Sequence, residues 1–188
     1  MLTMALWIVV GLFPLSEIAL GAFKRADPRV ARREDRGTMR RLWSAIALGV
    51  VVAIGCQWVP SARLGLPTEV TQLLALALLV FGLTVRWVAI VTLGRYFTVD
   101  VAIRSDHALM EQGLYRVVRH PSYSGLLVAF LGLGLFFGNW FSLVGLMTPV
   151  TWAVINRIAT EERALLAALG PPYADYCART KRLIPGVV

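Results

Sequence analysis

The chain has 188 residues, of which 57% are hydrophobic and only 16% are charged, and its mean hydropathy is +0.67. Soluble domains are usually about 45–50% apolar and about 25% charged, so a water-soluble fold of this length would leave too much apolar surface exposed. The net charge of +8 would suggest nucleic-acid binding in a soluble protein. Here the positive charges lie between apolar segments, which favours membrane topology and contact with anionic lipid and argues against nucleic acid.

Five apolar segments approach the length of about 20 residues that a transmembrane helix needs. No basic residue precedes the first apolar segment, and the first positive charges, Lys24 and Arg25, follow it. A signal peptide begins with basic residues, so we expect a retained helix and not a cleaved signal peptide. After the fifth, the polar remainder predicts a helix up to Gly170. The sequence therefore predicts an all-α, integral membrane bundle of about five transmembrane helices. In chain order the apolar segments are Leu2–Phe23, Leu42–Val59, Val70–Leu93, a segment that begins after Pro121 and ends at Phe137, and Trp140–Ile155.

The distribution of Lys and Arg between these helices predicts the orientation. The segments 24–41 and 94–121 and the C-terminal tail are basic, whereas 60–69 contains only Arg63 and 138–140 contains no basic residue. Because basic loops remain on the cytoplasmic side, we expect the N-terminus outside and the C-terminus in the cytosol. The polar clusters of the chain then lie on the cytosolic side.

Two charged residues lie within the apolar segments. A charge in the bilayer is costly unless it faces protein or water. We expect Glu17 to hydrogen-bond to a neighbouring helix. We expect Arg86, near the end of its segment, to extend to the lipid headgroups, with the lining of an acceptor entrance as the alternative.

The first polar cluster, residues 107–125, contains both histidines of the chain. Pro121 favours an extended His120, and Ser122 is expected to cap the following helix. The free N–H groups of a helix start attract carboxylates, and the rings of Tyr115 and Tyr123 attract cations. A site that binds both a carboxylate and a cation suits an amino acid that carries a sulfonium.

The second cluster follows the fifth apolar segment directly. Arg157 and Glu161 are four residues apart and therefore share a helix face at the membrane surface. Arg157 can bind a carboxylate with two parallel hydrogen bonds, and Glu161 can bind a ribose hydroxyl, an amine or a positive centre. The alternative is an interfacial salt bridge without a role in binding.

Several motifs resemble the isoprenylcysteine carboxyl methyltransferase family in their order and spacing over roughly residues 80–185. The resemblance implies a single domain in which residues 1–69 form two N-terminal transmembrane helices and residues 70–188 form the catalytic core. It also implies a C-terminal helical tail that closes the cofactor site. The motifs are RWVAIVTLGRYFT (86–98), DHALMEQGLYRVVRHPSY (106–123), RHPSYSG (119–125), EERALL (161–166), GPPYADY (170–176) and RLIP (182–185).

This resemblance implies an S-adenosylmethionine-dependent methyltransferase that needs no metal. Glu161 takes a cofactor-binding position and Arg157 the position that binds the acceptor carboxylate. A further cofactor position, usually glutamine in the family, falls on Asp100. The other implied cofactor residues are His107, Ala108, Leu109, Met110, Tyr115, His120, Pro121, Ser122 and Tyr123.

The implied acceptor is lipophilic, of which a prenylated acceptor is one case, so a site at the interface between membrane and cytosol would meet both substrates. A carboxylate acceptor is already ionised at neutral pH and needs no general base. Two alternatives remain. Phenolic lipids or small thiols would need a base, for which His107 or His120 is the candidate. An NADPH-dependent reductase of the membrane sterol type has a similar C-terminal half.

Overall fold

The computed structural model describes residues 2–23, 31–33, 37–97, 102–104 and 109–186. Within them, short 3-10 helices cover Pro60–Ala62, Gly94–Tyr96 and Gly113–Arg116. Two three-residue strands, β1 (Ala31–Arg33) and β2 (Ala102–Arg104), pair antiparallel. The α-helices are α1 (Leu2–Phe23), α2 (Thr38–Cys56), α3 (Thr68–Leu93), α4 (Pro121–Phe136), α5 (Trp140–Leu169) and α6 (Pro171–Arg179).

The predicted all-α class is confirmed, and the chain is an integral membrane protein. Four helices, α1, α2, α3 and α5, are long and apolar enough to cross a membrane. The remaining apolar helix, α4, has 16 residues, fewer than the roughly 20 that a straight crossing needs. A count of five transmembrane helices therefore remains a prediction.

Helix α5 joins the last apolar segment to the polar residues that follow it. It runs for 30 residues, with Pro149 inside it, and ends before Gly170. Gly170 has φ 60°, a conformation that favours glycine, and Pro171 then begins α6. Arg157 and Glu161 consequently lie on a rigid continuation of a membrane helix.

The centre of the bundle depends on close packing of α3 against α4. A β-carbon at Gly82 would lie 2.4 Å from the backbone nitrogen of Ala129, and one at Gly125 would lie 2.5 Å from the carbonyl oxygen of Gly82. Only glycine fits at such a crossing, as expected for small residues between membrane helices. Helix α1 packs on α3, whereas α2 packs on α5.

One end of the bundle, which we call the capped end, joins the loop before α3 to the turn before α5. Asn139 is fully buried there, and its side chain accepts hydrogen bonds from the backbone N–H groups of Phe141 and Ser142. It also donates to the carbonyl of Val59 at 2.9 Å. Leu64 N–H donates to the carbonyl of Gly138. The two loops with little positive charge therefore lie together, opposite the polar clusters.

Candidate active site

A cavity of about 840 Å³ extends from the apolar interior to the polar clusters. Its apolar wall includes Trp7, Phe13, Leu42, Ile46 and Phe130 from α1, α2 and α4. The first two helices thus shape the cavity, a role that the sequence had left open. Its polar end, which we call the polar pocket, is lined by Leu109, Met110, Tyr115, His120, Ser122, Tyr123, Arg157, Glu161, Tyr173 and Tyr176.

The tyrosine of α4 links the two predicted residues of α5. The hydroxyl of Tyr123 donates to a carboxylate oxygen of Glu161 at 2.9 Å and accepts from Nε of Arg157 at 2.8 Å. Arg157 is 3% exposed, and its Nη1 also donates to the hydroxyl of Thr38, 119 residues away in sequence. The site therefore depends on α2 as well as on α4 and α5.

Arg86 is buried and does not extend to lipid headgroups, so that prediction was wrong. It forms a two-pronged ion pair with Glu17 of α1, at 2.5 and 2.6 Å. The physical reason is that a carboxylate within the same bundle satisfies the guanidinium more completely than distant headgroups. Nη1 of Arg86 donates to the carbonyl of Ser122 at 3.3 Å, and both Arg86 and Glu17 line the cavity. The expected contact of Glu17 with a neighbouring helix is confirmed.

The start of α4 differs from the prediction that Ser122 caps it. Helix α4 begins at Pro121, its N-cap residue is His120, and no side chain caps it. The helix starts one residue earlier because proline fits the first helical position, where no N–H group is needed. Ser122 is then already helical, and its neighbour Ser124 donates instead to the carbonyl of Leu183 at 2.6 Å.

The tail helix α6 packs on the 3-10 helix that carries Tyr115. The hydroxyl of Tyr176 donates to the backbone carbonyl of Tyr115 at 2.6 Å. Burial, followed by the charge of Glu161, raises the pKa of Tyr115 above its usual range. Burial also raises the pKa of Tyr176 to about 12. Both phenols therefore keep their protons at neutral pH and act as hydrogen-bond donors.

The C-terminal segment runs beside the residues that precede α4. Arg119 N–H donates to the carbonyl of Lys181, and His120 N–H donates to that of Arg182. The guanidinium of Arg119 donates to the carbonyls of Cys177 and Thr180. Backbone pairing of this kind fixes the position of His120 at the edge of the cavity.

Glu162, which sequence reasoning did not single out, joins these elements. Its carboxylate accepts from Nε of Arg119 at 2.9 Å and from Nε of Arg182 at 2.9 Å. It also lies 3.4 Å from Nε2 of His120, which is long for a hydrogen bond. The two adjacent glutamates thus differ in their contacts: the side chain of Glu161 lines the cavity, whereas that of Glu162 binds Arg119 and Arg182.

Two buried side-chain atoms lack a hydrogen-bond partner within the part of the chain that the structure describes. They are Nε2 of His120 and the hydroxyl oxygen of Tyr173. Both residues line the cavity, beside the carboxylate of Glu161. Because buried polar atoms are normally paired, these atoms indicate a polar ligand. Donors, a carboxylate and aromatic rings fit the amine, hydroxyl and sulfonium groups of S-adenosylmethionine.

Most of the predicted site residues lie together in the polar pocket defined above, Arg157 and Glu161 among them. Pro121 is fully buried at the start of α4 and is not among the residues that line the cavity. His107, Ala108 and Asp100 lie outside the described residues.

Sequence reasoning missed Thr38, Glu162 and Tyr173. For Thr38 no signal exists, because a threonine near a helix start is common. Glu162 and Tyr173 lie in two of the motifs, EERALL and GPPYADY, and could have been considered from them.

The fold and this site define an integral membrane protein in which a polar pocket opens into an apolar cavity between helices. The sequence profile of the isoprenylcysteine carboxyl methyltransferase (ICMT) family matches residues 74–167. The chain belongs to this family. The match covers α3 to α5, including Arg157 and Glu161, and not the first two helices.

Individual relatives agree with this assignment. The chain is 36% identical over 135 residues to protein-S-isoprenylcysteine O-methyltransferase of Schizosaccharomyces pombe, covering 70% of this chain and 57% of the relative. It is 34% identical over 114 residues to protein-S-isoprenylcysteine O-methyltransferase B of Arabidopsis thaliana, covering 60% and 58%. The chain thus spans somewhat more than half the length of these curated relatives.

The fold also resembles a solved structure of the eukaryotic intramembrane Ras methyltransferase ICMT. The TM-score is 0.64 with 26% sequence identity, over 79% of this chain and 53% of the other. The two proteins therefore share a fold over the part of each chain that is aligned.

Proposed function

We propose that this chain is an S-adenosylmethionine-dependent methyltransferase that acts on a lipophilic acceptor, most similar to protein-S-isoprenylcysteine carboxyl O-methyltransferase. One observation carries the proposal: a single cavity joins the polar pocket to an apolar wall supplied by α1, α2 and α4. A water-soluble methyl donor and a lipid-borne acceptor need such an arrangement. The names of the related proteins support the same reaction class.

The polar pocket would hold the cofactor, which supplies a methyl group on a positively charged sulfur. Glu161, held by the Tyr123 hydroxyl, would bind a hydroxyl or amine group of the cofactor. The proposed cofactor residues are His107, Ala108, Leu109, Met110, Tyr115, His120, Pro121, Ser122, Tyr123 and Glu161.

Arg157 would bind and orient the acceptor carboxylate. Its guanidinium lies on the cavity wall, and Tyr123 connects it to Glu161, so that the acceptor and cofactor groups are held by one network. Since a carboxylate is ionised at neutral pH, these residues need only position it and exclude water. A general base is unnecessary for this acceptor.

We propose that this end of the bundle faces the cytosol. The starts of α2 and α4 and the basic tail lie on the side of the polar pocket, and in the sequence a basic segment precedes each of these two helices, whereas the capped end carries little positive charge. This distribution supports an N-terminus outside and an active site that the cytosolic cofactor reaches directly.

A second acceptor class is favoured by His120, which lines the cavity and whose Nε2 lies 3.4 Å from Glu162 without a hydrogen bond within the described residues. A phenolic lipid or a thiol must lose a proton before it is methylated, and His120 is placed at the cavity to accept it.

Calorimetric titration of the full chain in detergent tests the cofactor. We expect S-adenosylmethionine to bind in the micromolar range and Glu161→Ala to abolish binding without a change in the melting temperature. Binding of NADPH and not of S-adenosylmethionine would contradict the proposal and support the sterol-type reductase.

A methylation assay then tests the acceptor. We expect an S-prenylated cysteine with a free carboxylate to be methylated and its carboxamide to be inert. Arg157→Ala should raise the KM for the acceptor at least tenfold while the cofactor Kd stays within about twofold, because a charged hydrogen bond is lost on the acceptor side alone. Equal loss of both would contradict the role assigned to Arg157.

A further inference from the structure

Tyr173, on α6, carries a buried hydroxyl, and the residue lines the cavity. The residue is 3% exposed, and within the described residues its oxygen has no hydrogen-bond partner. Leaving a buried hydroxyl unpaired is unfavourable, so a phenylalanine would be the more stable choice if the residue only filled space. A bound ligand is therefore the candidate partner for this hydroxyl.

The neighbouring tyrosine shows what a structural hydroxyl on the same helix looks like. Tyr176 is equally buried, and its hydroxyl donates to the carbonyl of Tyr115 at 2.6 Å. The two rings lie 6.1 Å apart. One tyrosine thus attaches α6 to the protein, while the hydroxyl of the other is buried without a partner beside the cavity.

The surroundings of Tyr173 belong to the proposed cofactor pocket. Tyr173 lines the same cavity as Glu161 and His120, whose Nε2 is the other unpartnered buried atom. Burial, followed by Cys177 and the two glutamates of α5, raises the pKa of Tyr173 above its usual range. The phenol is therefore neutral at physiological pH and can donate a hydrogen bond to an acceptor atom of a ligand.

We propose that the Tyr173 hydroxyl donates a hydrogen bond to bound S-adenosylmethionine, so that α6 forms part of the cofactor site. This inference rests on the proposed function. The acceptor would be one of the oxygen or nitrogen atoms of the cofactor's ribose, adenine or carboxylate groups. The tail would then contribute to cofactor affinity as well as enclosing the site.

The test compares Tyr173→Phe with the matched control Tyr176→Phe in the full chain, purified in detergent. Calorimetry gives the Kd for S-adenosylmethionine and S-adenosylhomocysteine, and thermal unfolding gives Tm without ligand. We expect Tyr173→Phe to raise both Kd values roughly 3- to 10-fold, the value of one hydrogen bond, with a Tm that is unchanged or higher. Tyr176→Phe should lower Tm, because it leaves the Tyr115 carbonyl unpaired.

The possible outcomes are distinct. If the wild-type protein binds the cofactor and Tyr173→Phe binds it equally well, the hydroxyl does not contact the cofactor and the inference is wrong. If Tyr173→Phe lowers Tm as Tyr176→Phe does, its role is structural and the inference is also wrong. If the wild-type protein binds neither compound, the proposed function itself fails, and the role of Tyr173 with it.

Discussion

The two ends of the bundle solve the same problem, the pairing of buried polar groups, in different ways. At the capped end Asn139 bonds to Phe141 and Ser142 nearby and, across 80 residues of sequence, to the carbonyl of Val59, so that its side-chain groups are paired within the protein. At the other end Arg157, Glu162 and Arg86 bond across long sequence separations, and two buried atoms lack a partner within the described residues. The difference lies in these two unpaired atoms, which are the basis for proposing a ligand at the second end.

The largest loss in the free energy of unfolding is expected for Glu17→Leu. The change leaves Arg86, whose side chain is 9% exposed, as an uncompensated charge inside the bundle. Losing one partner of a buried pair costs about 3–5 kcal/mol. Unfolding in mixed micelles should show this loss. The control is Glu17→Leu with Arg86→Met, which removes both charges and should recover most of the stability; a double variant as unstable as the single one would contradict the ion-pair explanation.

Glu162→Ala should cause the next largest loss in the free energy of unfolding. The change removes the carboxylate that pairs with Arg119, whose side chain is 10% exposed. It also removes the ion-pair partner of Arg182. We expect a loss of about 2–4 kcal/mol, less than for Glu17 because Arg119 retains carbonyl partners. Cofactor Kd should also rise, since the tail that fixes His120 is loosened. A normal Kd in this variant would show that the tail is not needed at the site.

Asn139→Ala tests the independence of the capped end. The variant loses the N-cap of α5 and the bond to Val59, which together should cost about 2 kcal/mol. The Kd for S-adenosylmethionine should be unchanged, because the residue lies at the opposite end of the bundle. A parallel loss of cofactor affinity would show that the two ends are coupled.

The smallest effect is expected for Arg182→Ala. Its side chain is 52% exposed, so its ion pair with Glu162 is screened by water. We expect the free energy of unfolding, measured in the same experiment, to fall by less than about 1 kcal/mol. This change is smaller than the one expected for Glu162→Ala. A loss as large as that of Glu162→Ala would mean that Arg182 and not Arg119 is the main partner of the carboxylate.

The sequence allowed the helices and much of the site to be predicted because their signals are local. Apolar segments indicated α1 to α5 within a few residues, and the spacing of Arg157 and Glu161 put both on one helix face. The start of α4 was misjudged, since proline at the first helical position and serine as a cap are both common.

Hydropathy, charge distribution and motif order by themselves determined that this is a helical membrane protein, which segments carry its polar chemistry and which family it resembles. Tertiary structure alone decided that Glu17 pairs with Arg86, that Thr38 contacts Arg157, and that the Tyr176 hydroxyl is paired whereas that of Tyr173 has no hydrogen-bond partner within the described residues. Those outcomes depend on how each helix is rotated and how closely it packs, as at Gly82 and Gly125. Such geometry is fixed by contacts between distant segments, which no local pattern encodes.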